Sequence, residues 1–123
     1  MTKPTTPAGL SDAAAELVRD LNHATRPGVG GQALTVDQMY DTVAALALLT
    51  ARLPQALTQV AAHLAAHADA GHLTAVDENG DHTDPAEAVA EATEQLHAAT
   101  GDTIDAARAL DAVQQALASL GRR

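Results

Sequence analysis

Apolar residues recur every three or four positions in three parts of the chain, the spacing that buries one side of an α-helix. The first part covers residues 12–25, and Ser11 before it is a good N-cap residue. Its apolar positions are Ala14, Leu17, Val18, Leu21 and Ala24. Residues 1–10 contain three Thr and two Pro around one Lys, which predicts a flexible tail.

A second and longer pattern covers about residues 36–70 and keeps a heptad spacing throughout. Thr35 and Gln38 form a capping box at its start, and Gly71 is a typical stop at its end. Pro54 predicts a kink near Thr50 rather than a break, because the heptad keeps its phase across the proline. The two predicted seam rows are Val36, Val43, Thr50, Leu57 and Leu64, and Met39, Leu46, Leu53, Val60 and His67.

The third pattern covers about residues 85–120. Asp84, Pro85 and Glu87 form a helix start, with an N-cap acid, a proline at the first helical position and an acid at the third. Gly101 falls on the outward side, where it weakens the helix without leaving a hole in the seam. The predicted seam rows are Val89, Leu96, Thr103, Leu110 and Leu117, and Ala92, Ala99, Ala106, Val113 and Leu120.

These patterns predict an all-α protein with one helical domain at 11–121. Two helices of about 35 residues, each about 50 Å long, form an antiparallel hairpin. The helix at 12–25 completes a partial three-helix bundle beside the start of the second helix, where Leu48 and Leu49 supply extra apolar surface. The composition also favours an all-α fold, since about a quarter of the 123 residues are Ala and Tyr40 is the only Phe, Tyr or Trp.

Charge and composition argue against several classes of function. The net charge is −9 with seven Lys and Arg, so the chain lacks the basic footprint of direct nucleic-acid binding. The longest apolar run, residues 43–51, is about half of a membrane span, and the N-terminus lacks a signal-peptide core. We therefore expect a cytoplasmic protein without membrane contact. The chain has no Cys and hence no thiol chemistry.

Two loops resemble ligand sites in composition. The stretch Gly28 to Gly31 is glycine-rich, but it lacks the strand and the Lys-Ser/Thr ending of a phosphate loop, so it predicts a connector. Asp77, Asn79 and Asp81 have the spacing of the first three calcium ligands of an EF-hand.

The rest of the calcium pattern is missing. His82 occupies the place of the required Gly, and Ala88 that of the bidentate Glu. Asn79-Gly80 is a strong turn signal, so the stretch predicts a turn in the loop 72–84 rather than a calcium site.

The histidines give two further metal patterns. His63 and His67 have the four-residue spacing of a helical metal pair, but no inward carboxylate completes the site. Glu94 and His97 match half of a di-iron motif, which requires a second copy and two more Glu. No nucleophile with a base is evident, and we predict a non-enzyme without a cofactor.

Two segments, ELVRDLNHATRPG at 16–28 and LLTARLPQAL at 48–57, are similar to small Ala-rich helical proteins of high-GC actinobacteria, some of them on mobile elements. The resemblance covers about half of the chain and implies a cytoplasmic bacterial setting. That group has no assigned activity, so the resemblance implies no site residue.

These features predict a helical protein–protein interaction module that self-associates as a homodimer. The predicted interface is the half of the hairpin that the short helix cannot cover, with Ala56, Ala61, Ala65, Ala68, Ala88, Ala92 and Ala99. One alternative is an acidic antagonist that masks the basic surface of a nucleic-acid-binding protein, since residues 72–84 carry −4 and residues 85–121 carry −5. The other alternative is a metal-binding helical protein.

Overall fold

The computed structural model describes residues 3–28 and 33–120, and the chain separates into two compact units, Met1–Asp37 and Gln38–Arg123. The elements are the helices α1 (Pro7–Ala24), α2 (Val36–Asp69) and α3 (Ala86–Ala118) and the strands β1 (Ala75–Val76) and β2 (His82–Thr83). The predicted all-α class is confirmed, with a short N-terminal helix and two long helices that pack against each other.

Helix α1 begins earlier than predicted. Its N-cap is Thr6, whose Oγ1 accepts a hydrogen bond from the backbone N–H of Gly9 at 3.1 Å, and Pro7 is the first helical residue. Ser11 lies inside the helix and donates its hydroxyl to the carbonyl of Pro7 at 2.9 Å. Because proline already has helical φ, Thr-Pro starts the helix before Ser11, and the predicted tail at 1–10 was too long.

The apolar stripe of α1 is only partly covered. Val18 and Leu21 are half-buried, whereas Leu17 is 68 % exposed. Residues 29–32 of the predicted connector lie outside the described residues, and the packing of α1 beside the hairpin stays a prediction.

Helix α2 is continuous across Pro54, and both of its ends agree with the sequence prediction. Its C-terminus is a Schellman motif: the N–H of His72 donates to the carbonyl of His67 at 3.0 Å, and that of Gly71 to Ala68 at 3.1 Å. Gly71 adopts φ 72°, a conformation that glycine takes without a Cβ clash. Gly71 is therefore the helix stop that its position predicts.

The start of α3 uses the predicted acid. A carboxylate oxygen of Asp84 accepts a hydrogen bond from the N–H of Ala86 at 2.9 Å, and the N–H of Val89 donates to the carbonyl of Pro85. The helix then continues through Gly101 to Ala118. Its predicted limits of 85–120 are thus correct to within two residues at each end.

Three observations agree with an antiparallel arrangement of α2 and α3. At the loop end, β1 and β2 pair antiparallel with Ala75 opposite Thr83. Next to the loop, Ala68 of α2 and Ala86 of α3 line one small cavity. At the open end, Nε2 of Gln114 donates a hydrogen bond of 3.0 Å to the hydroxyl of Tyr40.

Half-buried positions identify the true seam of the hairpin, and only one predicted row on each helix is correct. The rows that begin at Val36 and Val89 are half-buried along their whole length, as predicted. The second predicted row is half-buried only at Met39 and Leu46 on α2 and at Ala92 and Ala99 on α3. The second row that is covered along its whole length lies one residue later on both helices. It consists of Tyr40, Ala47, Pro54, Ala61 and Ala68 on α2, and of Thr93, Thr100, Ala107 and Gln114 on α3.

The shift places small residues inside the seam and large residues beside it. Ala47 is the buried hydrophobic residue of the described chain at 6 % exposure, whereas Leu53 and Val60 are 40 % and 54 % exposed. His67, predicted in the seam, is exposed as well. Small side chains allow the two backbones to approach closely, which explains why the alanine row faces the partner helix.

Three of the four threonines within the seam donate their hydroxyls to carbonyls of their own helix. Thr50 and Thr100 each donate a hydrogen bond of 2.7 Å to the carbonyl four residues earlier in their own helix. Thr103 donates to the carbonyl of Thr100 at 2.8 Å. A polar side chain at these positions therefore costs the seam little.

Gly101 gives a first test of the fold. A Cβ at this helical position meets nothing within 4 Å, so Gly101→Ala is expected to raise the free energy of unfolding by about 0.5–1 kcal/mol through lower backbone entropy in the unfolded chain. Urea denaturation followed by circular dichroism measures it. Gly80→Ala is the matched control: its space is equally open, but its φ of 83° makes the same substitution destabilising. A loss of stability in Gly101→Ala would contradict a regular helix there.

Candidate functional site

The main candidate site is an exposed apolar surface on one side of the hairpin. In an antiparallel pair, the positions just before the second seam row of both helices lie on the same side. The apolar residues among those positions and their outer neighbours form a surface that we call the apolar face: Leu49, Leu53, Ala56 and Val60 of α2, and Ala88, Ala92 and Ala99 of α3, of which Ala92 and Ala99 are half-buried. His63, His67 and Gln95 lie on the same side of the hairpin and border this face. Leu49, Leu53 and Val60 are 39 %, 40 % and 54 % exposed.

The apolar face carries no charge, although the chain is strongly acidic. Between Asp41 and Asp69, Arg52 is the only charged residue of α2. Five of the six acids of α3 lie away from the apolar face, and Asp102 lies at its rim. Those on the outer side are Glu87, Glu91, Glu94 and Asp105, and Asp111 lies on the opposite flank. A desolvated contact on the apolar face therefore buries no charged group.

The predicted alanine interface divides among three surfaces. Ala56, Ala88, Ala92 and Ala99 belong to the apolar face. Ala61 and Ala68 occupy the intramolecular seam and are half-buried by α3, and Ala65 is exposed on the opposite flank. Four of the seven predicted residues thus share one surface, and the larger residues Leu53 and Val60 join them there.

The acidic stretch forms the predicted turn, and it closes a small hairpin. The N–H of Gly80 donates to the carbonyl of Asp77 at 3.0 Å, and the N–H of Asp77 donates to the carbonyl of Asp81 at 2.8 Å. One carboxylate oxygen of Asp77 accepts the N–H groups of Asn79 and Asp81 at 2.9 and 3.0 Å. Asp77, the predicted first calcium ligand, thus serves its own turn.

An open acidic groove lies between this turn and the first turns of α3. Its carboxylates come from Asp77, Glu78, Asp84, Glu87 and Glu91. Asp77 and Asp84 accept backbone hydrogen bonds, and the other three side chains are exposed. The groove therefore presents negative charge to solvent beside the hairpin loop.

The histidines are arranged differently from the predicted pair. Nδ1 of His67 lies 3.5 Å from Nδ1 of His72, and the two rings are tilted at a centroid distance of 5.7 Å. His72 reaches His67 because the Schellman motif turns the chain back over the last helical turn. Two imidazoles are half of a four-coordinate zinc site. Within residues 3–28 and 33–120, no three His, Asp or Glu side chains converge on a point that could hold a metal.

Glu94 and His97 are both exposed on α3, as their heptad phase predicts. Neither faces the seam with α2. They therefore do not line the bundle interior, where a di-iron centre requires its ligands.

Among the described helices, α2 is long and apolar enough to cross a membrane by length and composition, with a mean hydropathy of 1.2. The sequence analysis did not predict a helix of this hydropathy, because it considered only the uninterrupted apolar run at 43–51. One helix of this kind is weak evidence for a span. Arg52 lies at the middle of α2, where a charge costs a membrane helix about 2.5–3.5 kcal/mol.

Sequence reasoning missed two features of this region. The strands β1 and β2 are two residues each, too short for an alternation signal. The contact of His67 with His72 depends on the backbone path after Gly71, although a helix stop between two nearby histidines is a signal that could have suggested it. Compared with protein-family models, curated proteins and solved structures, the chain shows no significant match to any of them.

Proposed function

We propose that the protein is a non-enzymatic helical interaction module, and that its hairpin self-associates through the apolar face. The observation that carries this proposal is the lack of a filled core. Ala47 is the buried hydrophobic residue among the described residues, and the seam rows themselves are only half-buried. Two helices alone leave apolar surface in water, and a partner helix layer removes it.

A second copy of the chain is the partner that we propose for the apolar face. Two acidic proteins repel each other, so they associate best where neither copy carries charge. The apolar face is such a surface, since its seven residues are all uncharged. Contact there leaves the acids of α3 in solvent in both copies.

Sedimentation equilibrium of the unmodified protein at micromolar concentration tests the proposal. We expect the mass of a dimer, and we expect added salt to maintain or strengthen it, because salt screens the repulsion between two acidic chains. A monomer mass across the micromolar range at both low and high salt would contradict self-association.

The acidic groove supports a second candidate function, the masking of a basic surface on a nucleic-acid-binding protein. Glu78, Glu87 and Glu91 present exposed carboxylates beside the loop. Such a complex weakens as salt rises, which is the opposite of the behaviour expected for the dimer. Capture of a basic partner that salt releases, together with a monomeric unmodified protein, would favour this second function.

A further inference from the structure

We propose that His67 and His72 form a binding site for Zn²⁺ or a similar divalent transition metal, with Nδ1 of each ring as a ligand and water in the remaining positions. The site lies at the C-terminus of α2 and does not depend on the proposed self-association. It follows from the distance between the two imidazoles, from their direction and from the backbone that connects them.

The two nitrogen atoms have the separation of two ligands of one tetrahedral ion. Nδ1 of His67 lies 3.5 Å from Nδ1 of His72. Two imidazole nitrogens that bind zinc at about 2.0–2.1 Å and at a tetrahedral angle are about 3.3–3.4 Å apart. Adjacent nitrogens of a square-planar ion are closer, at about 2.8–3.0 Å. The observed separation therefore fits tetrahedral zinc to within about 0.2 Å.

The two rings are also turned so that their Nδ1 atoms face each other. The ring centroids are 5.7 Å apart, much farther than the Nδ1 atoms, so each Nδ1 lies on the facing side of its ring. A neutral imidazole with its proton on Nε2 directs a lone pair outward from Nδ1, and two such lone pairs attract a cation between the rings. A direct N–H···N hydrogen bond is the alternative contact. It is weak, because 3.5 Å exceeds the usual hydrogen-bond range of about 2.7–3.2 Å.

The backbone orders this pair of histidines without the help of an ion. The N–H of His72 donates to the carbonyl of His67 at 3.0 Å, and Gly71 makes the turn between them with φ 72°. Ligands on an ordered backbone lose less conformational freedom when they bind. Among the described residues, the ring of His67 contacts the ring of His72, whereas His63, four residues earlier, is not part of this contact.

The surroundings of the pair suit a zinc ion. Both rings are exposed, so water reaches the coordination positions that the protein does not fill. The net charge of −9 attracts cations to the chain. Imidazole nitrogen binds zinc and similar transition metals, whereas Mg²⁺ and Ca²⁺ prefer the oxygen ligands that the acidic groove offers. The kind of ion therefore distinguishes the histidine pair from the groove.

Calorimetric titration with ZnCl₂ tests the site, using full-length protein without a polyhistidine tag in a buffer with excess Mg²⁺ to occupy the carboxylates. His67→Gln and His72→Gln are each expected to weaken zinc binding at least about 10-fold, because each removes one of the two protein ligands. His63→Gln is the matched control and is expected to bind zinc as tightly as the unmodified protein. All three positions are exposed, so circular dichroism is expected to show unchanged helix content in every variant.

Long-range ¹H–¹⁵N spectra of the imidazoles identify the ligand atoms, and zinc is expected to shift the Nδ1 resonances of His67 and His72. Unchanged zinc binding in His72→Gln, or an equal loss in His63→Gln and His67→Gln, would indicate the helical pair and overturn the proposal. So would shifts at Nε2 instead of Nδ1, or no binding to the unmodified protein at up to about 1 mM zinc. None of these results depends on the mass in sedimentation, so the metal site and the self-association stand or fall separately.

Discussion

Val60→Glu is expected to convert the dimer into a monomer while leaving the helix content unchanged. Val60 is 54 % exposed in the single chain, so the isolated hairpin accommodates a carboxylate there. In the dimer, the same carboxylate is desolvated on a face that offers it no cation. An unpaired buried charge costs about 3 kcal/mol or more, which corresponds to a dissociation constant raised by at least about 100-fold.

Gln59→Glu is the matched control for this substitution. Gln59 is the preceding residue, is exposed on the outer side of α2, and gains the same charge. Sedimentation of both variants at equal concentration, with circular dichroism for helix content, makes the comparison. If Val60→Glu remained a dimer, or if both variants dissociated equally, the apolar face would not be the interface.

Ala47→Glu is expected to have the largest effect on the stability of the hairpin itself. Ala47 is 6 % exposed and lies in the seam opposite Ala107 by the register. A glutamate there overfills a buried position and brings an unpaired carboxylate into it. We expect a loss on the order of 3 kcal/mol in the free energy of unfolding, and a melting temperature lower by about 12 °C or more.

Ala45→Glu provides the comparison for this effect, because Ala45 is exposed on the outer side of the same helix. Helix propensity and net charge change equally in the two variants, so their difference isolates the seam. Thermal melts monitored by circular dichroism give both values. Equal melting temperatures would show that Ala47 is not in the seam and that the helices pack in the phase first predicted from the sequence.

The course of the long helices could be predicted because their boundaries depend on local chemistry. Gly71 ends α2 and Asp84 caps α3, and both effects act within a few residues of the chain. The prediction that α2 continues through Pro54 was correct, since the heptad continues on both sides of the proline. The start of α1 was missed where two N-cap candidates competed and Pro7 favoured the earlier one.

The phase of the seam could not be predicted from hydrophobicity. Each helix offers two adjacent rows, and the larger residues Leu53 and Val60 favour one of them. Close approach of the backbones requires small residues, and it favours the row with Ala47 and Ala61 instead. Only a structure shows how near the two helices come, so the displacement of large residues to the apolar face was not visible in the sequence.

The turn at Asp77 has a consequence for how the hairpin folds. Its strands pair Ala75 with Thr83, only eight residues apart, whereas Tyr40 and Gln114 are separated by 74 residues. Closing the longer loop first costs about 2 kcal/mol more in chain entropy, so the contacts beside the turn form before those at the open end. The helices therefore join as a zipper that starts at the acidic turn, and the last turns to close are also the first to fray.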